Sequence, residues 1–194
     1  LPPDEAGISI PTEEELEALP DSDWRKIIWY RHHIKIGVDR LGPPFSDESL
    51  QVINRVLEMF RSEEEGFDPD GRTLEKREKA GILRHLQYLS SGTPGWAYYS
   101  AYYDIGTQGI VFNNDDLNTE WGVATLFHEL GHLIDHTIFR AEYPDAMRQE
   151  YLTPSARWGG DPTSNENFAN IFESWVAGKD AALRKGVVLA VTGS

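Results

Sequence analysis

The chain contains 194 residues, which is enough for roughly one domain or two small ones. Hydrophobic residues make up 40%, with six Trp, eight Tyr and eight Phe, so the chain can fill a core and is not wholly disordered. The formal net charge of −14 disfavours nucleic acid and anionic membranes as partners, because an acidic surface repels both. The absence of cysteine excludes disulfides, Cys-ligated zinc and thiol nucleophiles, and no apolar run approaches the roughly 20 residues of a membrane-spanning helix.

The N-terminal residues combine four prolines with a cluster of glutamates. This composition predicts an extended or loosely docked lead-in or linker over residues 1–20, with a short helix at Thr12–Leu19. Asp23–Val38 is ambiguous, because its first half has helical apolar spacing and its second half alternates like a strand.

Two longer helices are predicted before residue 90. Ser46 is a suitable N-cap for a helix from Asp47 to about Glu64. The apolar residues of this helix recur at helical spacing: Leu50, Ile53, Val56, Leu57 and Phe60. A second run of apolar residues predicts a helix from Thr73 to about Leu89.

The remaining chain is expected to form a small sheet and three further helices. Ile110–Phe112 has the composition of a short strand, and Trp96–Tyr103 is expected to pair beside it. The predicted helices are Thr119–Phe139, Tyr143–Tyr151 and Asn165–Val176.

These elements predict one α+β domain, mostly helical, with a small mixed sheet. The domain is expected to span residues 21–186, with a helical N-terminal part at 21–94 and a second part at 95–177. Residues 187–194 form an uncertain tail.

Residues 128–132 read HELGH, an HExxH motif. Helix residues four apart are offset by about 40° around the axis and about 6 Å along it. His128 and His132 therefore project from one face and can bind one tetrahedral zinc ion. Glu129 lies beside the metal, where it can take a proton from a zinc-activated water and return it to a leaving amine. The motif predicts zinc-dependent hydrolysis of a peptide bond.

The alternative is that the two histidines are ordinary core or surface residues. An apolar helical stripe around them favours the metal site, because an enclosed site needs a half-buried helix. The stripe comprises Val123, Leu126, Phe127, Leu130, Leu133, Ile134 and Ile138. Gly131 lowers helix stability by up to about 1 kcal/mol relative to Ala, so we expect another segment to pass close to the helix there.

A catalytic zinc ion normally has three protein ligands and one water. Downstream of the motif, Glu166, Asn170 and Glu173 fall on one helical face at i, i+4 and i+7. Glu166 is the favoured third ligand, and Asn170 could hydrogen-bond another ligand. Glu166 could instead simply favour a helix N-terminus, and Glu173 and Asp161 are rival third ligands.

Two stretches, HELGHLIDH from His128 and ENFANIF from Glu166, resemble the catalytic domain of anthrax lethal factor and the bacterial Pro-Pro endopeptidases. Those families share an HExxH helix that continues into an apolar-Asp pair, here Ile134 and Asp135, and then a helix of the form E-F-F-A-E-x-F. The resemblance covers roughly residues 95–177.

The resemblance implies a zincin-like metalloprotease domain whose catalytic part is residues 95–177. It implies the zinc ligands His128, His132 and Glu166, with Glu129 as general base. It also implies a protein or peptide substrate, and a secreted toxin or effector delivered into a foreign cell.

The chain departs from those families at two positions. Asn170 stands where they have Glu, and Gly159 stands where they have a catalytic Tyr thought to stabilise the oxyanion. Tyr151 or a residue of Tyr98–Tyr103 could substitute. The missing tyrosine favours a second hypothesis, a catalytically weak or inactive zinc-binding interaction module derived from a protease.

An added substrate strand is the expected mode of peptide binding, along an exposed edge near Ile110–Phe112. A cluster of aromatic residues could line a cleft there, although core and sheet packing is favoured for most of them. The cluster comprises Trp96, Tyr98, Tyr99, Tyr102 and Tyr103.

Overall fold

A computed structural model describes most of the first 112 residues and parts of the remainder. The described residues are 7–40, 42–61, 63–92, 101–104, 106–112, 117, 120–139, 169 and 172–173. The chain divides into two compact units, Leu1–Thr119 and Glu120–Ser194. Helices and a mixed sheet are both present, so the predicted α+β class is confirmed.

A sheet of five described strands organises the first unit. The strands are β1 (Ile8–Ser9), β2 (Lys35–Asp39), β3 (Tyr88–Ser91), β4 (Ala101–Asp104) and β5 (Gly109–Phe112). Their order across the sheet is β1-β2-β3-β5-β4. β2, β3 and β5 run parallel, whereas β1 and β4 pair antiparallel with their neighbours.

Strand β5 confirms the strand predicted at Ile110–Phe112, but the expected exposed edge there is wrong. β5 pairs with β3 on one side and with β4 on the other, and Ile110 has no exposed surface. Three consecutive apolar residues are typical of a strand covered on both faces. The outer strand is β4, which confirms the pairing expected for Trp96–Tyr103 at residues 101–103; residues 96–100 lie outside the described part.

The N-terminal segment contains two helices with polar caps. In α1 (Glu13–Glu17), Thr12 accepts a hydrogen bond from the Glu15 backbone N–H at 3.2 Å, which confirms the predicted short helix. α2 (Trp24–His32) begins after its N-cap, Asp23, and is closed by its C-cap, His33, whose φ is 55°. The ambiguous stretch Asp23–Val38 therefore contains both a helix and most of β2.

Helix α3 (Asp47–Glu58) begins as predicted, since the Ser46 hydroxyl accepts the Ser49 backbone N–H at 3.2 Å. Its predicted apolar residues are all buried: Leu50, Ile53, Val56, Leu57 and Phe60. The helix ends before the expected Glu64, and Glu63–Glu65 form a separate 3-10 turn.

The helix predicted from Thr73 to about Leu89 is wrong. Residues 73–80 are not helical, Gly81–Leu83 form a 3-10 turn, and Tyr88 begins β3. Non-local bonds hold this segment instead. The Arg77 backbone N–H donates to the Tyr30 carbonyl at 3.1 Å, and the backbone of β3 pairs with two neighbouring strands. Residues 21–94 are therefore mixed in structure rather than helical.

A charged cluster lies inside the first unit. Glu58 Oε1 accepts hydrogen bonds from Arg31 and Arg77, each at 2.7 Å, and Glu58 Oε2 accepts the Asp68 backbone N–H at 3.1 Å. The side chains of Arg31 and Glu58 have no exposed surface. These bonds join α2, α3 and the chain after α3, so the cluster holds elements together that are distant in sequence.

The second unit contains the helix that carries the HExxH motif. α4 (Glu120–Ile134) continues into a π-helical turn at Asp135–Phe139, so the helix predicted at Thr119–Phe139 is confirmed apart from the wider turn at its end. Ala169, Phe172 and Glu173 are helical, as predicted. The helix predicted at 143–151 lies outside the described residues. No helix in the described part of the chain is long and apolar enough to cross a membrane.

Candidate metal centre

Helix α4 buries its apolar face, and its two motif histidines lie beside that face, where they are partly exposed. The predicted apolar stripe is buried at Leu126, Phe127, Leu130, Leu133 and Ile134, while Val123 is half-buried. His128 and His132 are partly exposed, whereas Glu129 is buried, with only 7% of its surface exposed. The histidines therefore stand at the margin of a packed helix, where a ligand can reach them.

The imidazole rings of His128 and His132 face each other through their Nε2 atoms. Their Nε2 atoms lie 3.1 Å apart, and the ring planes are inclined at 81°. Two nitrogens bound to one tetrahedral zinc at about 2.0–2.1 Å would lie about 3.4 Å apart. The observed separation fits two ligands of a single ion, so these residues suit the metal that the motif predicts.

Glu173 lies against the other nitrogen of the first histidine. Its Oε2 atom is 3.3 Å from His128 Nδ1, and both side chains are partly exposed. A carboxylate beside Nδ1 favours a proton on that nitrogen, and the Nε2 lone pair would then point towards His132. Glu173 therefore faces the Nδ1 side of His128, whereas the two motif histidines face each other through Nε2.

A close helix contact holds this arrangement at Gly131. A Cβ atom at residue 131 would lie 2.9 Å from the Ala169 Cα atom and 3.1 Å from the Phe172 Cβ atom. Ala169 and Phe172 are fully buried. The expectation that another segment passes close to the helix at Gly131 is therefore confirmed, and that segment is the one that carries Glu173.

The third metal ligand remains a prediction. No group of three His, Asp or Glu side chains able to hold a metal occurs among the described residues. Glu166, Asp161 and Asn170 all lie outside the described part of the chain. Asp135, the acidic residue of the apolar-Asp pair, is 2% exposed at the end of α4.

The tyrosines considered as oxyanion donors fall mostly outside the described residues. Tyr98–Ser100, Tyr151 and Gly159 are not described. Tyr102 and Tyr103 lie in β4, in the first unit. Burial raises the pKa of each of these two phenols to about 12, so both stay protonated at neutral pH and keep an O–H to donate.

Comparison of the chain with protein-family models, with curated proteins and with solved structures finds no match. The case for a function therefore depends on the residues and contacts of this chain.

Sequence reasoning overlooked the pairing of Glu173 with His128. The i+7 spacing from Glu166 to Glu173 was a usable signal, because it places both carboxylates on one helical face. The sequence alone could not show where that helical face lies relative to α4. The contact between Gly131 and Ala169 shows this position.

Proposed function

We propose that the protein is a zinc-dependent endopeptidase of the zincin type. The observation that supports this most strongly is the convergence of the His128 and His132 Nε2 atoms at 3.1 Å, with Glu129 buried on the same helix. Two histidine ligands on one helical face, with a carboxylate base between them in the sequence, are typical of zinc hydrolases.

The proposed zinc ligands are His128, His132 and Glu166. Glu166 precedes Glu173 by seven residues, or about 10 Å along a helix. Glu173 lies 3.3 Å from Nδ1 of His128, whereas the two motif histidines face each other through Nε2. Because two glutamates at this spacing cannot both bind one zinc ion, and Glu173 faces the Nδ1 side, we favour Glu166 as the third ligand.

His128, His132 and Glu166 would hold the zinc ion, which would supply Lewis acidity to a scissile carbonyl and to a bound water. Glu129 takes a proton from the attacking water and delivers it to the leaving amine, so the peptide bond is broken by addition of one water molecule. The burial of Glu129 suits this role, because bulk water then competes less for the transferred proton.

A second candidate is a zinc-bound interaction module that no longer cleaves peptides. Gly159 supports it, because the resembled families have a catalytic tyrosine at that position. The buried Glu129 favours the enzyme, since a site that only binds has no need of a general base. Incubation with a diverse peptide library, read by mass spectrometry, separates the two: cleavage products support the peptidase, and bound but intact peptides support the module.

Action as a secreted or delivered effector is a further proposal, which rests on the resemblance alone. Specific cleavage of a protein in a foreign cell extract would support it. Cleavage of model peptides with no cleaved protein in such extracts would count against it.

The ligand set is tested by elemental analysis of purified variants. Glu166→Ala is expected to lose most of its zinc, whereas Asp161→Ala and Glu173→Ala each retain one equivalent. Tight zinc binding by Glu166→Ala, together with loss in either of the other two variants, would transfer the ligand role to that residue.

A further inference from the structure

The His128 side chain has a different partner on each ring nitrogen. Nε2 faces His132 at 3.1 Å, and Nδ1 faces Glu173 Oε2 at 3.3 Å. A neutral imidazole has one N–H donor and one acceptor nitrogen, and the carboxylate favours the proton on Nδ1. His128 Nε2 is then an acceptor, which is the form needed to bind a cation.

The backbone beneath Glu173 is held firmly. Its neighbour Phe172 is fully buried, and Ala169, one turn earlier, packs against Gly131 of α4. Gly131 lies between the two motif histidines in the sequence. The contact that brings the two segments together therefore also sets the distance from Glu173 to the His128 ring.

This arrangement bears on the chain's departure from the resembled families. Asn170 is uncharged, whereas a carboxylate beside a ligating histidine both fixes the ring and raises its basicity. Glu173 supplies a carboxylate three residues later, on the adjoining turn of the same segment.

We propose that Glu173 is a positioning residue of the zinc site, which orients His128 and holds it in the Nδ1–H tautomer from a position different from that used by the resembled families. The proposal rests on the proposed zinc site for its functional meaning. Its structural part, the control of the tautomer, applies to the metal-free protein as well.

Nitrogen-15 NMR of the His128 side chain in the metal-free protein tests the tautomer directly. The parent protein is expected to show predominantly Nδ1–H. Glu173→Ala is expected to shift His128 towards the Nε2–H form, and Glu173→Gln to retain Nδ1–H because its amide oxygen still accepts. Far-UV circular dichroism confirms that each variant is folded, and Glu48→Ala serves as a matched loss of one exposed carboxylate in the first unit.

Zinc titration against a competing chelator gives the second readout. Glu173→Ala is expected to bind zinc about 10–100-fold more weakly than the parent, with Glu173→Gln in between and Glu48→Ala unchanged. An unchanged tautomer together with unchanged zinc affinity in folded Glu173→Ala would overturn the positioning role and leave the proposed peptidase intact. Absence of zinc binding in the parent would overturn the proposed function, while the tautomer result would still decide the role of Glu173.

Discussion

Gly131 of α4 lies directly against the backbone of Ala169, so that a Cβ atom at residue 131 would stand 2.9 Å from the Ala169 Cα atom. Real Cβ atoms essentially never approach another atom so closely, and the partner is backbone that cannot rotate away. This contact explains why a glycine persists in the middle of a helix that would otherwise be more stable with alanine.

Gly131→Ala is expected to destabilise the protein by about 1–3 kcal/mol, because overpacking outweighs the gain in helix propensity. Zinc affinity should fall as well, since the displaced segment carries Glu173. Urea unfolding and chelator competition measure the two effects. Gly106→Ala is the control, because the atom nearest to a Cβ there is the end of the Asp104 side chain at 3.3 Å, which can move aside, so we expect little change in stability. Equal stability of Gly131→Ala and the parent would show that the two segments are not in close contact.

Replacement of Glu58 tests the buried charged cluster. Glu58→Gln leaves Arg31 and Arg77 without their shared carboxylate in a site with no exposed Glu58 surface, so we expect a loss of about 3–5 kcal/mol in the free energy of unfolding. Asp70→Asn breaks the exposed Arg55–Asp70 pair and should change stability by less than about 1 kcal/mol. Similar effects of the two substitutions would argue against a tightly packed cluster.

His32 predicts a specific dependence of stability on pH. Burial lowers the pKa of His32 to about 3, with nearby arginines acting in the same direction, whereas the unfolded chain titrates near 6.5. Between these values the unfolded state binds a proton that the folded state does not. The free energy of unfolding should therefore fall as pH decreases below about 6.5, by up to about 1.4 kcal/mol per pH unit.

Urea unfolding between pH 7.5 and 4.5 measures this dependence. His32→Gln should flatten the profile, because the titrating group is removed, and exposed His136→Gln should leave it as in the parent. A profile that keeps its slope in His32→Gln would assign the pH dependence to other groups.

Local patterns predicted much of the structure. Polar caps at Thr12 and Ser46 marked two helix starts correctly, because capping depends on residues only a few positions apart. The motif helix and the convergence of His128 and His132 also follow from helix periodicity alone. The placement of the two motif histidines on one helical face was therefore well predicted from the sequence.

Elements that depend on distant partners were not predictable in the same way. Leu83, Leu86 and Leu89 have helical spacing, yet they are buried in a 3-10 turn, a connecting segment and a parallel strand. Strand pairing and the bonds of Arg77 to Tyr30 and Glu58 outweigh local helix propensity there. The position of β5 inside the sheet likewise depends on pairing with strands distant in sequence.

The most direct test of the proposed peptidase is the zinc content and the peptide-cleavage rate of the parent protein and Glu129→Gln, measured on the same samples. We predict one equivalent of zinc in both proteins, with cleavage by Glu129→Gln reduced at least about 100-fold because the general base is lost. Cleavage by Glu129→Gln at the parent rate, or a parent protein that neither binds zinc nor cleaves any peptide, would contradict this prediction.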